Sequence, residues 1–302
     1  MDVRSLSYFL EVAKQNSFSK ASQTLHVTQP TLSKMIKNLE DELGVTLFDR
    51  STRRVQLTEA GEAVRMHAQM VIRSIDHLRS ALEDIKHLKH GQFSLGLPPV
   101  IGPSFFPPII ARFRQQYPRI SMRIVEEGGK RVERDVLEGA LDLGVVVLPV
   151  DESRFETLPL VKRKLHLVVH PGHPLAGRTR VRLVELQEEN FIMFQQGFSL
   201  YDRVREACIR AGFEPKVGYE TAQWDFIAEL ATAGLRVGFL PDVVCARLDP
   251  ARVAVIPGTE PQIHWNLALI WRKNGYLSHA ARGWVEFVRS SGVFGEINGQ
   301  AK

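Results

Sequence analysis

Cysteine is nearly absent: the 302 residues hold two, Cys208 and Cys245, far apart and in no metal-ligand or redox spacing. That excludes a disulfide framework and a zinc ribbon, and both thiols read as small buried residues of a reduced, cytoplasmic protein. No run approaches the roughly 18 apolar residues of a membrane span. Glu11 and Lys14 fall where a signal peptide needs an unbroken apolar stretch. Neither charge sign dominates, since 39 Lys and Arg against 34 Asp and Glu leave +5, only a mild bias toward anionic partners. Internal repeats and low-complexity tracts are missing, and 44% hydrophobic residues exclude extended disorder. At about 150 residues per domain, the length predicts two or three domains.

What is present begins with short helices. Leu6, Phe9, Leu10 and Ala13 recur at helical spacing, and Ser19 is expected to open a second helix carrying Ala21, Ser22 and Leu25. His26-Val27-Thr28 reads as a tight turn. Thr28 can N-cap a third helix, with Pro30 in its first turn, where a missing N–H costs nothing. That helix buries Leu32, Ile36, Leu39 and Leu43, spaced 4, 3 and 4, and stops at Gly44. Two helices joined by so short a turn predict a helix-turn-helix.

The outer face of the third helix then carries Gln29, Ser33, Lys34 and Lys37, with Pro30 at its start. From Val12 to Leu39 the chain has four lysines, Lys14, Lys20, Lys34 and Lys37, and no Asp or Glu. A charge run is usually a solvated face. Here, however, side chains that bond base edges and phosphates stand on the helix that a helix-turn-helix inserts into the major groove of duplex DNA. Arg50, Arg53 and Arg54 follow in a polar, β-compatible stretch over 45–57, placed to hold phosphates as a basic wing.

A long helix is expected from Thr58 to about Lys89. Val64, Ala68, Val71, Ile75, Leu78, Leu82 and Ile85 alternate in steps of 4 and 3, a heptad seam. Roughly 30 helical residues span about 45 Å, more than a small helical domain covers, so 58–90 reads as a dimerising linker. Beyond Gln92 short apolar strands alternate with helices: 93–97, 120–126, 143–148, 164–170, 191–194, 237–240 and 265–271. This predicts an α/β architecture whose ligands bind beyond the carboxyl ends of strands, near helix N-termini.

One family shares these residues. Ala21-Ser22, Leu25, Val27-Thr28-Gln29-Pro30, Leu32-Ser33, Ile36, Leu39-Glu40, Leu43-Gly44, Leu47-Phe48, Arg50, Arg53, Leu57-Thr58 and Ala60-Gly61 resemble, without a gap, the N-terminal signature of LysR-type transcriptional regulators. The likeness continues through Phe113, Tyr117-Pro118, Leu141-Asp142-Leu143-Gly144, His173-Pro174-Leu175, Ala211-Gly212-Phe213, Gly234, Gly238 and Leu240-Pro241. It implies a winged helix-turn-helix over 1–57, the linker helix over 58–90 and an effector-binding domain over 91–302. That last domain would consist of two α/β lobes resembling a type 2 periplasmic binding protein. Lobe 1 would take about 91–162 and 266–302, and lobe 2 about 163–265, with 164–170 and 265–271 as the crossing strands. The resemblance also implies a dimer, a tetramer as the working form, and a small-molecule effector between the lobes that alters the spacing of the DNA heads.

The resemblance places that effector site at 98–104, 128–130, 195–199 and around Trp224. Family members often carry Ser or Thr in the first of these turns. This chain has Pro98 and Pro99, which remove two backbone donors. Apolar lining is expected from Pro99, Val100, Ile101, Phe198 and Trp224, polar groups from Gln195, Gln196 and Ser199, and a cation from Lys130 against the alternative of a solvated surface lysine. A helix starting near Ser199 would favour a negative ligand group, so the expected effector is a small organic anion, a carboxylate. Two other classes compete: a small-molecule binding protein, and an α/β enzyme with a helical dimerisation arm. Against the enzyme, Gly197-Phe198-Ser199-Leu200-Tyr201 lacks the second glycine of a nucleophile elbow. Asp225 and Glu229, at i and i+4, read as solvated, and His166, His170 and His173 lie about a Pro-Gly turn with no Cys near. No cofactor or metal is expected, and no membrane partner.

Overall fold

The computed structural model describes residues 1–49, 55–86, 91–292 and 294, without the side chains of residues 73, 76, 77, 79–86 and 104. The chain divides into two compact units: Met1–Lys86 with Glu138–Ala140, and His87–Leu137 with Leu141–Lys302.

The first unit opens with α1 (Val3–Gln15), whose N-cap Asp2 accepts from the Ser5 amide at 2.7 Å. α2 (Phe18–Thr24) starts one residue before the expected Ser19, because Ser17 is the cap and accepts from the Lys20 amide. The tight turn at 26–28 is present: His26 takes φ 54° and the Val27 amide donates to the Ser22 carbonyl. α3 (Gln29–Leu43) is capped by Thr28 and ends at Gly44 in the left-handed region, where glycine meets no Cβ penalty. Two short strands, β1 (Phe48–Asp49) and β2 (Gln56–Leu57), pair antiparallel, and α4 (Glu59–Lys86) follows. Leu6, Phe9, Val12, Ala21, Leu32, Ile36, Leu39, Leu47, Phe48 and Ala68 form its core. The apolar spacing of α1 and α3 is thus the spacing of one buried face.

The second unit begins with β3 (Gly91–Leu97), α5 (Gly102–Gln116), β4 (Ile120–Glu126), α6 (Gly129–Leu137) and β5 (Leu143–Val147). β3 lies parallel between β4 and β5, a pairing that the crossovers through α5 and α6 make possible. Next come β6 (Phe155–Val169), β7 (Arg180–Arg182), β8 (Asn190–Phe194), α7 (Ser199–Arg210), β9 (Lys216–Thr221), α8 (Trp224–Thr232), β10 (Val237–Pro241) and α9 (Asp242–Cys245). β11 (Ala254–Ile256), β12 (Gly258–Glu260), β13 (His264–Arg272) and α10 (His279–Ser290) complete it. One nine-stranded mixed sheet runs β4-β3-β5-β13-β6-β10-β8-β9, with β11 added to β6.

β6 joins the two halves of that sheet. Phe155 to Lys164 pair with β13, and Leu165 to Val168 pair with β10. The strand is fifteen residues long and begins well before the expected Lys164, since Glu156, Pro159 and Lys162-Arg163-Lys164 break the apolar pattern of its first half. β4-β3-β5-β13 and the first half of β6 make one lobe, and the second half of β6 with β10-β8-β9 makes the other. α10 returns to the first lobe, where Trp284 sits 4.9 Å from Phe113 and 5.8 Å from Phe93, ring centre to ring centre. This is the two-lobed α/β fold with an N-terminal helix-turn-helix that the resemblance implies. No helix among the described residues is long and apolar enough to cross a membrane.

Candidate DNA-reading head and effector cleft

α3 buries Leu32, Ile36 and Leu39 completely. Helical geometry then turns Gln29, Pro30, Lys34 and Lys37 to solvent, with Ser33 half-buried beside them. Lys14 and Lys20 are also exposed, so all four lysines of the carboxylate-free stretch of sequence face solvent. Arg50, Arg53 and Arg54 lie outside the described residues. The stem of the wing is described: Glu40 Oε1 accepts from the Leu47 and Phe48 amides at 2.8 and 3.2 Å. From the other side Thr58 donates its amide to the Leu47 carbonyl and its hydroxyl to the Thr46 carbonyl. Sequence reasoning had Glu40 only as part of a signature, and Thr58 only as part of that signature and as the start of the long helix.

The heptad seam of α4 has two fates. Val64 and Ala68 pack into the head's own core, joined there by Ile72 from beside the seam, so the first third of the stripe is covered locally. Further on, Val71 is 41% and Leu78 60% exposed, and Ile75 is half-buried. The side chains of Leu82 and Ile85 lie outside the described set.

In the second unit the turns before α6 and α7 meet face to face. A Cβ at Gly128 would lie 2.8 Å from the Gly197 carbonyl oxygen, and one at Gly129 would lie 2.3 Å from Ser199 Oγ. The lobes touch because these positions have no side chain. Around the contact, Glu127, Lys130, Arg131, Arg134, Gln196 and Phe198 line a pocket of about 340 Å³. Lys130 is not a free cation: its Nζ stands 2.7 Å from Asp202 Oδ2, so α6 of one lobe is ion-paired to the first turn of α7 of the other. The Arg203 guanidinium adds a second bond across the lobes, to the Leu148 carbonyl. Arg131 pairs with Asp135 within α6. Glu133, half-buried three residues after Lys130, has its carboxyl pKa raised by burial, which the nearby ammonium offsets in part.

The other expected cleft residues divide. Gln195 and Gln196 are exposed, Phe198, Ser199 and Trp224 are half-buried, and no side chain caps α7, whose N-cap is Phe198. Val100 and Ile101 are core residues, 4% and 0% exposed, because the turn after β3 folds inward. The Ile101 and Gly102 amides there already donate to the Pro98 carbonyl, and Pro99 is half-buried beside them. Polar capacity therefore gathers on the α6–α7 side. Sequence reasoning missed Asp202 and Arg203, which look like ordinary surface charges until the fold brings 128–130 against 197–203.

The remaining candidates have structural partners. Glu229 pairs with Arg252, and Asp225 accepts from the Phe226 amide. His170 and His173 accept through Nδ1 from the Gly172 and Leu175 amides, closing their turn. Both thiols are buried, which pushes each up to about 12, with Glu214 adding to the effect on Cys208 and Asp242 on Cys245. A thiolate is thus scarce near neutral pH.

Comparisons with known proteins agree with this arrangement. Residues 3–62 match the model for the bacterial regulatory helix-turn-helix protein, lysR family, and residues 86–292 match that for the LysR substrate binding domain. The chain is 51% identical over 290 residues to the uncharacterized HTH-type transcriptional regulator YwbI of Bacillus subtilis, covering 96% of each chain. It is 32% identical to the transcriptional dual regulator GltC of the same organism, over 95% of this chain and 96% of that one. Among solved structures it resembles a full-length OxyR variant from Pseudomonas aeruginosa, with TM-score 0.73 and 26% identity over 97% of this chain and 96% of that one. These families are regulators rather than enzymes, and with both of its domains matched the chain belongs to the LysR family of DNA-binding transcriptional regulators.

Proposed function

We propose that this regulator is controlled by a small organic anion, a carboxylate, held between the lobes of its effector domain. The observation that carries this reading is the lip of the cleft. The first turns of α6 and α7 face each other there, and Lys130 already holds the carboxylate of Asp202. A site that binds one carboxylate from its own chain has the chemistry to bind another. Gln195, Gln196 and Ser199 would orient the ligand, and Phe198, Trp224 and Pro99 would cover its apolar part.

The DNA contacts follow from the reading head. Gln29, Pro30 and Ser33 would meet base edges, and Lys34, Lys37, Arg50, Arg53 and Arg54 would meet phosphates. Residues 58–90 would pair two chains through the exposed part of the α4 seam, with a tetramer as the working form in the cytoplasm. Ligand entry would change the lobe contact and thereby the spacing of the DNA heads, which requires the ligand to favour one lobe arrangement over the other.

The test uses the full-length protein. A panel of metabolic carboxylates, sugars and nucleotides is titrated by calorimetry, and the compound that binds is retested on Lys130→Ala and Asp202→Asn. Lys130→Ala is expected to weaken binding, and Asp202→Asn, which removes the internal competitor, to strengthen it. A neutral effector, or a Lys130→Ala protein that binds as tightly as the parent, refutes the anion reading. For the DNA head, about 6 phosphate contacts per dimer give a slope of log affinity against log salt near −5. A flat response refutes it.

A further inference from the structure

We infer that Glu40 is a positioning residue for DNA binding, which fixes the wing to the recognition helix. This rests on the reading of α3 and the wing as the surfaces that meet DNA. α3 ends in Glu40-Asp41-Glu42-Leu43, three acids in the last turn of a helix, and no basic residue stands there. The helix dipole makes its C-terminal end negative, so acids are disfavoured at this position. Two of the three take partners outside the helix: Glu42 pairs with the Met1 ammonium, and Glu40 turns toward the chain that leads into the wing.

What Glu40 holds is specific. One carboxylate oxygen takes both the Leu47 and the Phe48 amides, at 2.8 and 3.2 Å, and Phe48 is the first residue of β1. Among the described residues the β1–β2 ladder pairs Phe48 with Leu57 and Asp49 with Gln56 and begins only after Leu47, so the entry itself is held from outside the ladder. Leu47 and Phe48 are themselves buried, 0% and 1% exposed, so the carboxylate bonds lie at the edge of the core rather than in open solvent. On the far side Thr58 takes hold of the Thr46 and Leu47 carbonyls. The strand entering the wing is thereby clamped between α3 and the start of α4, and Glu40 is the clamp on the α3 side.

The consequence is geometric. A recognition helix and a wing can meet one duplex together only if the angle between them is held, and the Glu40 carboxylate holds it where the chain enters β1. Glu40 lies one turn beyond Lys37 on the same helix, so the side chain that orients the wing moves rigidly with the reading face. Without the clamp, α3 can still enter the groove while the wing no longer reaches its phosphates.

The experiment measures affinity for a duplex enriched from a random-sequence pool by the unaltered full-length protein, across a range of salt, for Glu40→Ala, Glu40→Asp and Glu40→Gln. Glu40→Ala is expected to bind about tenfold more weakly, with the salt slope reduced in magnitude by about 1 for each phosphate the wing no longer reaches. Glu40→Asp, which keeps the charge but withdraws it by one methylene, is expected to do the same and serves if the alanine variant does not fold. Glu40→Gln keeps an acceptor oxygen at the same reach and is expected to stay within a few-fold of the parent at its full slope. A merely structural role would lower the folded fraction and weaken binding by one factor at every salt concentration. An unchanged slope in both Glu40→Ala and Glu40→Asp, or a Glu40→Gln protein as impaired as Glu40→Ala, overturns the inference. A parent protein with a flat slope would instead overturn the reading of the head itself.

Discussion

Gly61, in the first turn of α4, offers a sharp test of how the head is held together. A Cβ added there would lie 2.2 Å from the Leu47 carbonyl oxygen and 2.9 Å from Leu57 Cδ2. Carbon–oxygen contacts settle at about 3.3 Å or more, so Gly61→Ala requires a displacement of about 1 Å between the helix and the wing stem. The obstructing atom is backbone and cannot rotate away. The same oxygen accepts from the Thr58 amide at 3.0 Å, so moving it also loosens the clamp on the wing. Overpacking of this kind costs about 1–3 kcal/mol, and a lost hydrogen bond adds about 1 kcal/mol. In a unit of this size each kcal/mol shifts the midpoint by about 4–8 °C. The assay is calorimetric melting of the full chain, in which the N-terminal unit should melt roughly 10 °C or more lower while the transition of the effector unit stays in place. An unchanged N-terminal transition in a variant confirmed by mass would refute the close approach of Gly61 to Leu47.

Three further outcomes are expected. Ile75→Lys with Leu78→Lys should dissociate the oligomer in sedimentation, since burial of each side chain contributes about 1.5–3 kcal/mol; an unchanged species rejects the α4 seam. Cys208 and Cys245, buried and with their pKa pushed up to about 12, should resist iodoacetamide in the native protein and react fully once it is denatured; rapid native labelling would contradict their burial. Burial also lowers the His166 pKa, with Asp242 opposing and Lys164 adding to the effect. The unfolded chain therefore binds this proton more readily, and the contribution of His166 to stability, present above its unfolded value near 6.5, should be lost as pH falls through that value toward the lower folded one. Stability profiles of the parent and His166→Gln should diverge there, and parallel profiles would refute the assignment.

Legibility in the sequence followed how local each signal was. The helices of the head were readable because Leu32, Ile36 and Leu39 mark one face by spacing alone, and because Thr28 and Gly44 act on their neighbours. Strands buried on both faces, such as β5 and β8, stood out as apolar runs. β9 did not: Lys216 to Glu220 lie exposed on the sheet edge, so no apolar pattern was imposed on them. The first half of β6 was hidden by Pro159 and three consecutive basic residues, whose strand conformation is set by pairing with β13 a hundred or more residues later. The candidate cleft was least legible. Its candidate polar pair, Lys130 with Asp202, joins helices 72 positions apart in the chain, and nothing in either segment announces the other.

That pair sets the terms on which an effector would act under the proposed function. A free lysine would add attraction to any anion, whereas Lys130 must first release Asp202, so one carboxylate replaces another and the charge count at the lysine is unchanged. Affinity must then come mainly from the other lining groups, and the ion pair instead ties ligand entry to a lobe contact. The tie has a ceiling. Lys130 is 61% exposed, and exposed pairs are worth about 1 kcal/mol or less, whereas moving a two-state equilibrium from one arrangement to the other takes about 5.5 kcal/mol. Breaking Lys130 from Asp202 can therefore initiate a lobe rearrangement but cannot drive it alone. The Arg203 bond to the Leu148 carbonyl and the close packing of Gly128 on Gly197 span the same lobes within a few residues of the pair. A regulator that switches here has to release all three together, which makes the glycines at 128 and 129 as much a part of the device as the charges beside them.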